Sequence, residues 1–304
     1  MNTPMTATQS TEYTPAEQLV VSPVVDGNLF EIGRGFSALS FRESAFAEAM
    51  DPLVMVDHYK MTAATFGPHP HAGLSAVSVL FEDTQGRFRN RDTLGNDFDL
   101  LPGDLYWLKA GSGIIHDESP RPGSSIHGLQ VFVNLPLSSK TSAPESLHVT
   151  AQSVPVYEGQ GSRVRILLGS SQGLTGQSSP ALPMTILDGK LALDGQFSHL
   201  LKAGENAWVY AVAGDLQLSI SEQTITLHKG QSIAMSALGN GQVQALQIVN
   251  SGGEQAHFAL FSAQPVAEAF VQKGPFVMAS EAEIERIEAE YAAGKLGHLN
   301  TLDE

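Results

Sequence analysis

Hydrophobic and polar positions alternate in short runs along most of this chain, and glycine, proline or asparagine closes nearly every run. This is the pattern of many short strands, not of long helices. Residues 20–60 read as short strands and turns. Residues 76–82 (AVSVLFE) form a β-rich run, Gly86 turns the chain into 87–92, and Leu94-Gly95-Asn96 turns it again. In Pro102-Gly103-Asp104 the proline suits position i+1 and the glycine i+2 of a type II turn leading into 105–108. The run 127–135 (HGLQVFVNL) carries aliphatic residues at Leu129, Val131, Val133 and Leu135, one face of a strand.

The pattern restarts after LPLSSKTSAP, whose Ser, Thr and Pro content marks a linker. Strands are predicted at 163–168, 243–249 and 257–261. Hairpins are predicted at 184–193 around Asp188-Gly189 and at 208–220 around Gly214-Asp215. Pro102-Gly103-Asp104-Leu105 and Lys229-Gly230-Gln231-Ser232 suggest a faint internal repeat. One helix is predicted, at 280–293. Ser280 and Glu283 make a capping box, Ile284, Ile287 and Tyr291 share a face, and Gly294 and Lys295 suit its end. The organisation expected is a flexible leader at 1–16, a first domain at 17–137, a linker at 138–146 and a second domain at 147–304 that includes the helix.

Composition narrows the picture. The 304 residues are 42% hydrophobic and 16% charged, with 29 glycines and 16 prolines, as in a folded all-β protein of two domains. A formal charge of −15 without a Lys/Arg cluster argues against direct nucleic-acid binding. The absence of cysteine excludes disulfides, thiolate metal sites and a cysteine nucleophile. The Thr/Ser/Pro-rich start lacks the apolar core of a signal peptide, and no run is long enough to span a membrane, so a cytoplasmic protein is expected.

Candidate chemistry gathers in two segments. In GPHPHAG (67–73), His69 and His71 sit two apart, so a strand directs both imidazoles to one side, while Pro68 and Pro70 stiffen the backbone. With ten histidines in the chain, roughly 0.3 such pairs arise by chance, so this pair alone decides little. The second segment, GSGIIHDESP (111–120), places His116 and Glu118 on a common face and Asp117 on the other. Together the two pairs supply three imidazoles and a carboxylate. That set suits divalent iron, manganese, nickel, copper or zinc and leaves positions open for substrate or water. The second half has no such pair; His199, His228 and His257 stand alone and read as structural or surface histidines. His58 and His127, near the metal motifs, read the same way, although Asp57 could orient His58.

These motifs carry a specific resemblance. DPLVMVDHY (51–59), GPHPHAG (67–73), RDTLGN (91–96), PGDLYW (102–107), AGSGIIHDESP (110–120), GLQVFVNLP (128–136), KGPFVM (273–278) and AAGKLG (292–297) are together similar to the pirin family. The resemblance implies two cupin (jelly-roll) β-barrels in tandem with a short C-terminal helix. It implies one metal, most often iron(II), held by His69, His71, His116 and Glu118, and a barrel without metal in the second half. It also implies a monomer. Family members resemble quercetinases, which implies dioxygenase action on a flavonol such as quercetin, or a similar enol-bearing aromatic; Glu118, a carboxylate near the reacting oxygen, is the expected base. The rival it implies is a metal- or redox-sensing regulator that binds a protein partner; a cupin isomerase would need further acid/base residues. This chain departs from the family motif at Ala72, Leu74 and Ser75, where Arg, Phe and Glu are usual, so the pocket rim or the packing behind the ligands must differ.

Overall fold

The computed structural model describes residues 6–7, 19–239 and 241–300; the rest of the leader expected at 1–16 lies outside them. Every strand pairing within the sheets is antiparallel. Each half is a sandwich of a large sheet and a four-stranded one. In the first half the large sheet has seven strands, running in space from Glu145–Val149 through Leu105–Lys109, Leu74–Leu80, Ile126–Asn134, Leu53–Met61 and Phe36–Arg42 to Asn28–Ile32. Its partner sheet is ordered Asp97–Leu100, Phe88–Asp92, Ile114–Pro120, His69–His71.

The second half repeats the plan. Val156–Gly159, Ser162–Leu168, Met184–Leu191, Ala256–Ala263, Asn206–Ala213 and Gln231–Ser236 form the large sheet, and Gln196–Leu201, Gln244–Asn250, Leu216–Ile220 and Gln223–Leu227 the small one. A buried cluster including Val56, Val77, Phe81, Trp107 and Leu129 from one half and Ile186, Trp208, Tyr210 and Phe261 from the other joins the two large sheets. Burial of large apolar side chains, at about 25 cal/mol per Å², stabilises this seam between the halves.

The chain ends cross over. Val20–Val21 and Val25–Asp26 pair with Gln231–Ser236 of the second half. The expected linker carries a short 3-10 turn at Leu137–Ser139 and runs into Glu145–Val149, which pairs with Leu105–Lys109 of the first half. The C-terminal strands Val271–Lys273 and Phe276–Met278 and the helix Glu281–Ala292 return to the first half, where Ile284, Ile287 and Leu296 pack on Ala72 and Ile115. Ser280 caps the helix, its hydroxyl accepting from Glu283 N, and Gly294 follows it at φ +73°. Tyr291 is 39% exposed, so the buried stripe is narrower than the spacing predicts.

Two expected hairpins are corrected. Met184–Leu191 is one unbroken strand between Ser162–Leu168 and Ala256–Ala263. Asp188 does not turn, because its carboxylate accepts from Arg165 Nη1 at 2.9 Å and lies 2.5 Å from His257 Nε2, on the two flanking strands. Gly189 is there for space: a Cβ would lie 2.2 Å from the Phe258 ring. The chain bends at Gly214, which sits at φ +68°, but the strands on either side part to opposite sheets. Leu216, Leu218 and Ile220 face the core from the small sheet while Ala207, Val209 and Ala211 face it from the large one.

Candidate metal centre

His69–His71 pairs with Ile114–Pro120 so that His69 lies opposite His116 and His71 opposite Ile114. The pleat then sends all three imidazoles into the sandwich. His116 Nε2 is 3.0 Å from His71 Nε2 and 3.0 Å from His69 Nε2. Among the described residues this is the one group of three or more His, Asp or Glu whose ligand atoms all lie within 4.8 Å of one another.

The backbone sets the tautomers. His69 Nδ1 is 2.8 Å from Gly67 O, and His71 Nδ1 is 3.3 Å from Pro275 O. A carbonyl oxygen only accepts, so both Nδ1 atoms carry the proton. Burial lowers the pKa of all three rings, His71 to about 3, which keeps them neutral. The Nε2 atoms of His69 and His71 are therefore bare lone pairs, and the trio holds at most one proton where it converges. A cation answers that arrangement, and the donor set fits one. His71 owes its orientation to the C-terminal strap, which is held in turn by buried Lys140. The Lys140 Nζ donates to Gly73 O, Asn134 Oδ1 and Val277 O at 2.9, 2.6 and 3.0 Å. Burial depresses its pKa to about 8.

Glu118 lines the same cavity but stands outside the tight group of three. Its Oε1 accepts from Ser78 Oγ at 2.6 Å, and Ser78 Oγ also lies 3.0 Å from Gln130 Oε1. Burial pushes Glu118 up to about 7. The cavity measures about 170 Å³ and is walled chiefly by Phe36, Met55, Met61, Phe88 and Phe132, with Phe66, 50% exposed, where it meets solvent. Tyr59, Gln130 and Ser78 are absent from the motif pairs; the alternation Met55, Asp57, Tyr59, Met61 along Leu53–Met61 is the signal that places Tyr59 here.

The other expectations sort by face. Asp57 does not orient His58: it lines the cavity and accepts from Arg42 Nη1 at 3.1 Å, while His58 points to the opposite side. There His58 Nδ1 is 2.6 Å from Tyr210 Oη and its Nε2 2.7 Å from His127 Nε2, and His127 Nδ1 is 2.8 Å from Asp83. In the second half, His199 is buried against Ser171 and Ser262, His257 meets Asp188, and His228 pairs with Asp215. Ala72 and Leu74 are fully buried against C-terminal residues including Phe276 and Val277, so these departures from the family motif alter the packing behind the three histidines and not the pocket wall.

Two antiparallel sandwiches in tandem, with three histidines converging inside the first, define a cupin protein. Residues 34–133 match the family described as Pirin, and 186–297 match the Pirin C-terminal cupin domain. The chain is 32% identical to Pirin of Mus musculus over 251 residues, which span 82% of this chain and 83% of that one. The chain belongs to the pirin family. Its fold is similar to that of quercetin 2,3-dioxygenase from Acinetobacter baumannii, with a TM-score of 0.78 at 23% identity, covering 91% of this chain and 98% of that one. It is also similar to the bacterial pirin YhhW from Escherichia coli, solved in complex with nickel(II), with a TM-score of 0.59 at 17% identity, covering 82% and 100%. No helix among the described residues is long and apolar enough to cross a membrane.

Proposed function

We propose that this protein is a metal-dependent dioxygenase acting on a flavonol such as quercetin or a similar enol-bearing aromatic. In this reading His69, His71, His116 and Glu118 hold one divalent ion, iron(II) first, with manganese, nickel, copper and zinc as ions the same set accepts. One observation carries it: three neutral imidazoles, two with tautomers set by backbone carbonyls, converge on one point at the inner wall of an apolar cavity. The activity named for the Acinetobacter baumannii neighbour agrees with it.

A bound divalent ion supplies Lewis acidity, which lowers the pKa of an enol hydroxyl. The chain's residues do the rest. Phenylalanines and methionines exclude water and hold a planar ring. Glu118 takes the enol proton on its carboxylate, and Ser78 fixes that carboxylate through Oε1. Gly67 O and Pro275 O hold the rings of His69 and His71 in place.

The test is metal analysis of the purified protein beside its His116→Ala variant, then aerobic turnover of quercetin by both. About one equivalent of metal, lost in the variant together with turnover, is expected for one three-histidine site. Metal without turnover would remove quercetin as the substrate and favour a regulator that binds a protein partner, or an enzyme with a different substrate. A protein that holds no metal would remove the reading altogether. Glu118→Gln should keep most of the metal and lose turnover.

A further inference from the structure

The two strands that carry the histidines have a second face, and solvent does not cover it. Ala72 beside His71 and Ile115 beside His116 point away from the cavity. Against them lies the end of the chain, which leaves the second half after Ala256–Ala263 and crosses to the first. Ala72 bridges Phe276, and Val277 N donates to Ala72 O at 3.0 Å. Ile284, Ile287 and Leu296 close over Ala72 and Ile115. Thr93 Oγ1 donates to Leu296 O at 3.1 Å, and Arg91 Nη2 to Asn300 O at 2.8 Å. The approach leaves no space for a side chain at Gly73, where a Cβ would lie 2.0 Å from Val277 O.

This contact orients one ligand and leaves another alone. His71 Nδ1 donates to Pro275 O at 3.3 Å, across from the C-terminal strap. His69 Nδ1 donates to Gly67 O, two residues away in its own loop. The ring of His69 is therefore set locally and that of His71 by the strap. Lys140 fastens the strap beside this bond. It is 1% exposed, and an ammonium has three hydrogens to donate. All three are used, on Gly73 O two residues past His71, on Val277 O two residues past Pro275, and on Asn134 Oδ1.

We propose that the strap formed by residues 271–300 is a positioning element of the metal centre, clasped by Lys140, and that its docking and metal binding are one coupled equilibrium. The link is the hydrogen bond from His71 to Pro275. With the strap docked, the Nδ1 proton of His71 has a fixed acceptor and Nε2 is held bare toward His116. With the strap away, the proton can move to either nitrogen and the ring can turn. The docked strap therefore binds the ion more tightly, and by reciprocity the ion holds the strap more firmly by the same factor. Occupancy of a buried centre thereby reaches the exposed face of helix Glu281–Ala292. This deepens the metal reading of the site and rests on it, but not on the identity of the substrate.

The test titrates the metal-free full chain with nickel(II) by calorimetry and follows amide hydrogen exchange in 271–278 with and without the ion. Saturating nickel(II) should slow exchange there about tenfold and leave 184–191 in the second half unchanged. Lys140→Met should bind nickel(II) about tenfold more weakly. Ile287→Ala alters neither a ligand nor the clasp; it should bind nickel(II) about fivefold more weakly, and it carries the test where Lys140→Met does not fold. Leu246→Ala lowers Tm from the core of the second half, and its affinity should stay within about twofold of wild type. Nickel(II) bound with no response in 271–278, unchanged affinity in both strap variants, or an equal loss in Leu246→Ala would each overturn the coupling and leave the metal centre standing. Wild type that binds no nickel(II) would remove the centre and the coupling together. A responding strap in a protein that leaves quercetin untouched would keep the coupling and remove the substrate.

Discussion

The small sheets of the two halves look into their sandwiches with the same pleat and opposite contents. In the first half the inward residues include Phe88, Asn90, His69, His71, His116 and Glu118, and a cavity remains between the sheets. In the second the corresponding sheet turns Phe197, Leu201, Leu216, Leu218, Leu246 and Ile248 inward, and these fill the space. Buried charge is also handled differently. Asp188 sits between Arg165 and His257 with each carboxylate oxygen engaged, whereas Glu118 meets a serine and shares its cavity with an unpartnered tyrosine. In the closed core the buried carboxylate has a partner on each oxygen, although Trp208 and Ser232 of the same half each keep an unpaired polar atom. A core kept open leaves lone pairs waiting for something from outside, which is the usual mark of a site.

The largest break in this comparison should come from Asp188→Ala. Arg165, 2% exposed, would lose its buried partner, at a cost of about 3–5 kcal/mol in chemical denaturation at neutral pH. Burial alone would raise Asp188, but His257 and Arg165 outweigh it and hold the carboxyl at about 2, against 3.8 ordinarily. A depressed carboxylate stabilises above its unfolded pKa, so the gap between wild type and variant should be full above about pH 4 and shrink as pH falls toward 2. A gap independent of pH would mean that packing, not charge, is what Asp188 supplies.

Leu246→Ala should cost about 2–5 kcal/mol by the same measurement, since it truncates a fully buried side chain in the core of the second half. The smallest effect belongs to the first half. In metal-free protein, His116→Leu should change stability by less than about 1.5 kcal/mol, because it replaces a buried ring whose Nδ1 has no partner. A loss as large as that of Leu246→Ala would show the three histidines to be a structural element, and the contrast between the halves would fail.

Much of this was legible in the chain. Strand periodicity, the Ser280 cap and the turn at Gly103, which sits at φ +85°, follow from local rules that need no partner. The convergence of His69, His71 and His116 was legible too, because spacing by two sets the face of a strand whatever it pairs with. The misreadings share one cause. Asp188-Gly189 has the composition of a turn, yet Arg165 and His257 lie 23 and 69 residues away and turn the same two residues into the middle of a strand. Asp57 and His58 are neighbours in sequence and face opposite sides of the sheet, one to the cavity and one to the seam between the halves.

What the sequence by itself determined is the all-β character of the fold, the helix at the end and the two pairs of polar residues spaced by two, all of which rest on residues within a few positions of each other. Only the tertiary structure decided that a C-terminal strap supplies the carbonyl behind His71, that Ser78 holds Glu118, and that Tyr59 is left without a partner. Those facts depend on which strands lie side by side and what fills the space between two sheets. Packing over the whole chain settles both, and no local pattern encodes either.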